Sequence, residues 1–329
     1  MKKWYMWLVA SLLIIGLMTA CGTENQEEPQ TEEAPIEETE EQTTGDEEAA
    51  AFPVTIVDAL DNEITLEEEP ERIVTLIPSI TETVFALNAG DKVVGRTDWC
   101  NYPPAVLDVE TVGGMDFDVE KVISLQPDVI LAHASGAHSS ADGLDQLRNS
   151  GIQVIIINDA KQIEDVYESI DMIGQVTGKT DQAATVISEM KNTIEDLTTK
   201  AEEISEGEHV SVWVEVSPEL YTAGKNTFLD EMLQLLNGTN VAGDQEGWPQ
   251  FTEEDVVSLN PDVIITTYGY YVENPSEEIK SRSAWQDVNA VVNERIYDVE
   301  NDTVTRSGPR LAEGMEQLAK LIYPDVFEN

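Results

Sequence analysis

Glu120-Lys-Val-Ile-Ser-Leu-Gln-Pro-Asp-Val-Ile-Leu131 returns 134 residues later as Glu254-Asp-Val-Val-Ser-Leu-Asn-Pro-Asp-Val-Ile-Ile265. Eight of the twelve positions are identical, a phenylalanine stands three residues before each glutamate (Phe117, Phe251), and a helix-capping residue stands two before it (Asp118, Thr252). Each copy reads as a short helix, a stop and a strand. Val122, Ile123 and Leu125 give the first helix its apolar face, Pro127 or Pro261 ends the helix, and an apolar run follows. Helix-to-strand joints often look alike, because proline and aspartate suit the turn. Eight identities with a shared N-terminal flank point beyond such wiring to a duplicated unit, so two similar lobes are expected, with Glu120 and Glu254 in matched places.

The segments around the repeat fill in these lobes. Val54, Ile56, Ile64 and Leu66 alternate around Asp61-Asn62 as in a β-hairpin. Residues 73–77, 93–95, 129–132 and 154–157 read as buried strands, separated by helical stretches such as 81–87 and 163–176. Ile187, Met190, Ile194, Leu197, Ala201 and Ile204 then recur at spacings of three and four, within residues 181–205, which lack glycine and proline. This predicts one helix of about 37 Å, at about 1.5 Å per residue. A strut between lobes fits it better than a coiled-coil partner. The second lobe resumes with a strand over 210–216, a helix over 228–236, the repeated unit and a strand over 263–267. After Pro309, an amphipathic helix carries Arg310, Leu311, Met315, Leu318 and Leu321 towards Pro324. The expected fold is α/β: two Rossmann-like lobes with central sheets, residues 53–179 and 207–329, joined by a single long α-helix at 180–206.

Lys2, Lys3 and the apolar run 4–20 read as a cleaved secretory leader, residues 1–20, too short for a spanning helix and ending in small residues. Leu17-Met18-Thr19-Ala20-Cys21 resembles a bacterial lipobox, with Met18 as a departure. That resemblance implies lipidation at Cys21. Two or more chains suffice for stable attachment, which would place the protein on the extracytoplasmic face of the cell membrane. Residues 21–52 follow as a linker whose twelve acidic side chains meet no lysine or arginine, so it is expected to be disordered, with a reach of roughly 30 Å. Residues 53–329 still carry a net charge of −37, which excludes nucleic acid as a partner and reads as general solvation of an exported protein. With Cys21 lipidated, Cys100 has no partner for a disulfide and reads as a packed thiol.

No catalytic constellation emerges. His133, His138 and His209 form no metalloprotease spacing, and nucleophile-elbow and phosphate-loop patterns are absent. The chain is not expected to be an enzyme, and neither a cofactor nor a resident metal is expected. His133 and His138 could reach a metal, but further ligands are not evident. The loops after strands do carry aromatic side chains: Trp99, Tyr102, Tyr221, Trp248, and Tyr268 with Tyr270 and Tyr271. Ligands of α/β sheets bind beyond the strand ends, and aromatic rings there bury a flat ligand at about 25 cal/mol per Å².

From about Val54 onward the chain resembles the solute-binding proteins of ABC importers, in the class with a long interlobe helix that takes up cobalamin, ferric siderophores or haem. Asp98-Trp-Cys-Asn-Tyr-Pro-Pro104, Tyr221-Thr-Ala-Gly-Lys225, Trp248-Pro-Gln250 and Asp302-Thr-Val-Thr-Arg-Ser-Gly-Pro-Arg310 look most like the vitamin B12-binding branch. The resemblance implies that Trp99, Tyr221 and Trp248 line a corrin ring, and Tyr102 and His133 are taken with them as ligand-binding residues. It also implies that Asp302 and Arg306 make polar contacts to the ring's side chains, a structural ion pair being the other reading. His133 stands where that branch carries a tryptophan, and a second tryptophan is absent near Val112 and Gly113; Phe117 could compensate. The implied ligand is cobalamin or a related corrinoid, with a ferric siderophore or haem as the alternative. Glu120 and Glu254 would each face one half of a permease dimer, which works with its ATPase subunits. A glutamate in a first helical turn also complements the helix dipole, but a pseudo-twofold pair suits a twofold partner.

Overall fold

The structure, a computed structural model, describes residues 52–327. The expected leader, Cys21 and the linker through residue 51 lie outside the described residues. The hairpin is formed by β1 (Val54–Val57) and β2 (Glu63–Leu66), paired antiparallel. Asp58 closes its turn by accepting the N–H groups of Leu60 and Asn62, each at 2.9 Å, and ties it to the first lobe through the N–H of Ile156.

The N-terminal lobe then runs β3 (Ile73–Thr75), α1 (Pro78–Ala86), β4 (Val93–Arg96), α2 (Val119–Ser124), β5 (Val129–His133), α3 (Ala134–Ala137), α4 (Ala141–Asn149), β6 (Gln153–Ile157) and α5 (Ile163–Thr177). Gly178, at a φ of 68°, makes the left-handed turn from α5 into the long helix α6 (Thr180–Ala201). The C-terminal lobe follows with β7 (Ser211–Glu215), α7 (Phe228–Leu235), β8 (Thr239–Asn240), α8 (Glu253–Leu259), β9 (Val263–Thr266), α9 (Pro275–Ser281), α10 (Asn289–Val292), β10 (Ile296–Asp298), α11 (Asn301–Val304), α12 (Leu311–Ile322) and α13 (Pro324–Phe327).

Both sheets are parallel, and their strand orders, β4-β3-β5-β6 and β8-β7-β9-β10, are the same arrangement: second, first, third, fourth. The repeated unit occupies the same station in each lobe, as the helix leading into the third strand. Its Pro-Asp pair has a structural task in both copies. The Asp128 carboxylate accepts the N–H groups of Glu71 and Arg72 at 2.9 Å, and the Asp128 N–H returns a bond to the Arg72 carbonyl. Asp262 accepts from the N–H and hydroxyl of Ser211 at 3.0 and 2.7 Å and returns its N–H to the Ser211 carbonyl. Each aspartate thus locks the third strand of its lobe to the start of the first.

The pleat sends alternate residues to opposite faces. Ile73, Val129, Leu131 and Ile155 point one way, and Val74, Ile130, Val154 and Ile156 the other, into a core with Val122, Leu144 and Leu147. In the second lobe Trp213, Ile264 and Ile296 face their own outer core with Ile279 and Trp285. The inner faces, by contrast, share one continuous core: Val212, Val214 and Ile265 of one sheet and the inner residues of the other meet through α5, α6 and α12. Ala183, Met190, Ile194, Leu197 and Ala201 are the buried stripe of α6. The long helix is therefore less a strut between separate bodies than the middle of a common core.

Several boundaries depart from the sequence reading. α6 ends at Ala201, short of Ser205, because the Asn237 amide takes the Ala201 carbonyl at 2.7 Å and the chain turns away towards β7. Ile123, assigned to the buried face of α2, is exposed; in a helix of six residues only Val122 is fully covered. Cys100 is buried as expected, its sulfur 3.0 Å from the Thr81 hydroxyl.

Burial opposes the charge on Asp262, but the bonds from Ser211 and Asn289 and the nearby Arg295 outweigh it and hold the carboxyl below its ordinary pKa. Asp262→Ala is expected to lower the unfolding free energy by about 2 kcal/mol in urea titration, the scale of charged hydrogen bonds lost at one clasp. An unchanged midpoint would show that the clasp adds nothing to stability.

Candidate functional site

Loops that follow strand ends in both lobes line a common cleft, made of two cavities that share Ile77, Pro78, His133 and Ser135. The first, about 400 Å³, lies wholly in the N-terminal lobe, with Leu76, Trp99, Met115, Phe117 and Leu144 among its walls. The second, about 560 Å³, spans the lobes. It takes Asp159 and Lys161 from the loop after β6, Phe228 from the start of α7, and Glu246, Trp248 and Arg306 from farther along the C-terminal lobe. Trp99 is 65% exposed and Trp248 45%, unusual for residues of their size in a well-packed fold. The Trp248 ring meets that of Phe228 edge-on, with centroids 6.3 Å apart.

His133 stands where the cavities join. Its Nδ1 accepts the Ser135 N–H at 3.3 Å and lies 2.8 Å from the Ser135 hydroxyl, which leaves the proton of the neutral ring on Nε2. Burial lowers its pKa more than Asp159 and the Asn158 backbone raise it, which favours the uncharged ring. His138 is exposed beyond α3. Among the described residues no group of three His, Cys, Asp or Glu side chains could hold a metal ion.

A second cluster joins the lobes. Glu82 of α1, 3% exposed, receives Arg310 Nε at 3.0 Å and Nη2 at 2.9 Å, and also receives Arg306 Nη1 at 2.5 Å. Arg306 bonds Asn101 Oδ1 at 2.8 Å and pairs with Asp302 at 2.8 Å, while Asn101 donates back to Asp302 at 2.9 Å. The Arg310 guanidinium lies 3.9 Å over the Tyr102 ring. Burial works against the Arg310 charge, but Glu82, with Glu300 behind it, raises its pKa nonetheless. Farther along the interface, Glu231 of α7 accepts the N–H of Ile163, the first residue of α5, at 2.7 Å; burial keeps that carboxyl above its usual pKa.

The predicted site residues therefore divide. Trp99, His133 and Trp248 line the cleft, and Arg306 lies on its wall with its guanidinium engaged by Glu82, Asn101 and Asp302. Asp302 and Tyr102 belong to the interlobe cluster, and Tyr102 borders a different cavity, against Met190 of α6. Tyr221 is exposed, its backbone bridged to Gln250 beside the Trp248 segment. Tyr268, grouped with the loop aromatics, is fully buried: its hydroxyl donates to Glu215 at 2.6 Å, inside a bidentate pair with Arg282. Tyr270 and Tyr271 are exposed and stacked edge-on. Glu120 and Glu254 are both exposed, each the second residue after its helix cap. Sequence reading missed Asp159, Lys161 and Phe228. The first two had a signal in the sequence, since they lie two and four residues past the end of a buried apolar strand, where ligand loops of α/β sheets gather.

The sequence profile of the periplasmic binding proteins matches residues 73–303. The chain belongs to the periplasmic binding protein family. An uncharacterised ABC transporter substrate-binding lipoprotein of Bacillus subtilis (strain 168) is 49% identical over 280 residues, covering 84% of this chain and 88% of its own. A cobalamin-binding protein of Halobacterium salinarum is 30% identical over 289 residues, covering 84% and 75%. The crystal structure of a possible iron-binding (periplasmic solute-binding) protein of Staphylococcus epidermidis superposes with a TM-score of 0.70 at 35% identity, covering 78% of this chain and all of that one. This periplasmic binding protein is a substrate-binding protein of an ABC transporter, and not an enzyme.

Removing Glu82 would leave Arg310 with only the exposed Glu300, and Arg306 with Asp302, at the buried interface. Glu82→Ala is expected to cost about 3–5 kcal/mol in urea unfolding, as for other broken buried pairs. A loss below about 1 kcal/mol would assign the interface to apolar packing instead.

Proposed function

We propose that this protein captures cobalamin or a related corrinoid between its lobes and delivers it to a dimeric ABC permease with its ATPase subunits. Cys21 would tether it by lipid to the outer face of the cell membrane; no helix among the described residues is long and apolar enough to cross one. One observation carries the ligand reading: two largely exposed indoles, Trp99 and Trp248, are presented to one cleft by opposite lobes. Such rings suit a large flat ligand, because they bury much area and lose little freedom in doing so. The likeness to the cobalamin-binding protein of Halobacterium salinarum supports the same reading. A ferric siderophore or haem is the second reading, favoured by the likeness to the possible iron-binding protein of Staphylococcus epidermidis. Calorimetry with cyanocobalamin, haem and a ferric siderophore separates the two. Binding of cyanocobalamin alone is expected, and heat from an iron ligand without any from cyanocobalamin would reverse the assignment.

For delivery, Glu120 and Glu254 supply like charges at topologically matched helix starts, the arrangement that a twofold-symmetric permease can engage with like pockets. Ile123, one turn beyond Glu120, adds an exposed apolar contact. The double variant Glu120→Ala with Glu254→Ala should abolish uptake into cells while leaving ligand affinity within about twofold. A large loss of affinity would place these glutamates at the ligand instead.

A further inference from the structure

The cavity in the N-terminal lobe differs in kind from the rest of the cleft. No described Asp, Glu, Lys or Arg lines it, although residues 53–329 carry a net charge of −37. The cavity beside it is lined by four such side chains: Asp159, Lys161, Glu246 and Arg306. His133, pinned by Ser135, marks the boundary between them. An ion entering the first cavity would leave water without meeting a counter-charge, at a cost of several kcal/mol. A neutral ring would instead gain contact with Trp99, Met115, Phe117 and Leu144. Ser139 and Ser140 line the same cavity, and the Ser139 hydroxyl, which donates to the Gly136 carbonyl at 3.0 Å, keeps the capacity to accept from a ring N–H. About 400 Å³ accommodates a group of one or two rings, not a whole macrocycle.

We propose that this cavity is a separate subsite, which takes an uncharged aromatic heterocycle projecting from the ligand while the charged cavity holds the ligand's polar body. The inference rests on the cleft being the ligand site; it does not require the ligand to be a corrinoid. Ligands that share a core but differ in this appendage would then be told apart in the N-terminal lobe.

Gly136 provides the test. It lines the cavity, and a Cβ built on it meets nothing within 4 Å, so the first atom of a larger side chain enters open space and Gly136→Trp directs bulk towards the cavity. Benzimidazole titrated into the full chain is expected to shift the Trp99 indole N–H resonance in NMR spectra, and Gly136→Trp to remove that shift. Cyanocobalamin carries a benzimidazole nucleotide and dicyanocobinamide lacks it. Gly136→Trp should therefore weaken the first, by calorimetry, at least about tenfold more than the second. Ser139→Trp, from an exposed position on the same wall, is expected to act in the same direction and covers a folding failure of the other variant. No Trp99 shift with benzimidazole, or equal weakening of the two corrinoids, overturns the subsite. If neither corrinoid binds the unmodified protein while benzimidazole still shifts Trp99, the corrinoid reading falls and the subsite stands.

Discussion

The carboxylate of Glu82 carries two arginines of the opposite lobe, and the shape of the cleft depends on that arrangement. Arg306 forms part of the cleft wall and Arg310 packs on Tyr102 behind it, so one buried acid fixes both sides of the interlobe seam. Separating the lobes here would expose or strand three charges, each costly to leave unpaired. The shared core around α6 opposes separation for a second reason, since the inner faces of both sheets meet through it. Opening by a wide hinge would have to break both at once. A ligand shifts such an equilibrium only by its differential affinity for the two states, so capture here is expected to work on a nearly preformed cleft.

This dependence also explains which parts of the molecule were legible in the sequence. The lobes, the matched repeat and the long helix were readable because they rest on local regularities: apolar spacing, capping residues and the proline stop. The agreement of Asp118 and Thr252 as caps, each accepting the N–H three residues on, follows from the same short-range chemistry. The cleft was readable in part, since exposed tryptophans in loops have few structural uses. Tyr102, Asp302 and Arg306 were harder to place, because spacing along the chain shows the Asp302–Arg306 pair and conceals a partner 224 residues away. Tyr268 was misplaced for the same reason: only the fold shows that Glu215 lies buried within reach of its hydroxyl.

Charge gives the molecule a second constraint. A globular part at −37 repels itself, and its cations are correspondingly committed: Arg282 to Glu215, Arg310 and Arg306 to Glu82, Lys92 to Glu69. Among the described residues, Lys161 is the basic side chain of the charged cavity that forms no salt bridge. A negative group on a ligand would find its complement there and not in the N-terminal cavity.

The duplication ends by explaining its own exception. Three residues before the repeated phenylalanine stands Gly114 in one lobe and Trp248 in the other. These are topologically matched positions, but a Cβ on Gly114 would lie 3.3 Å from the Trp99 indole nitrogen. The glycine thus makes room for a tryptophan from a neighbouring loop, whereas the second lobe supplies its tryptophan directly from the matched site. Both lobes present an indole to the cleft, by different chain routes, and the N-terminal one stands beside a cavity formed by its own lobe alone. Surface positions such as Glu120 and Glu254 kept their matched places after duplication, while the cleft lost its symmetry, as a ligand without a twofold axis would require.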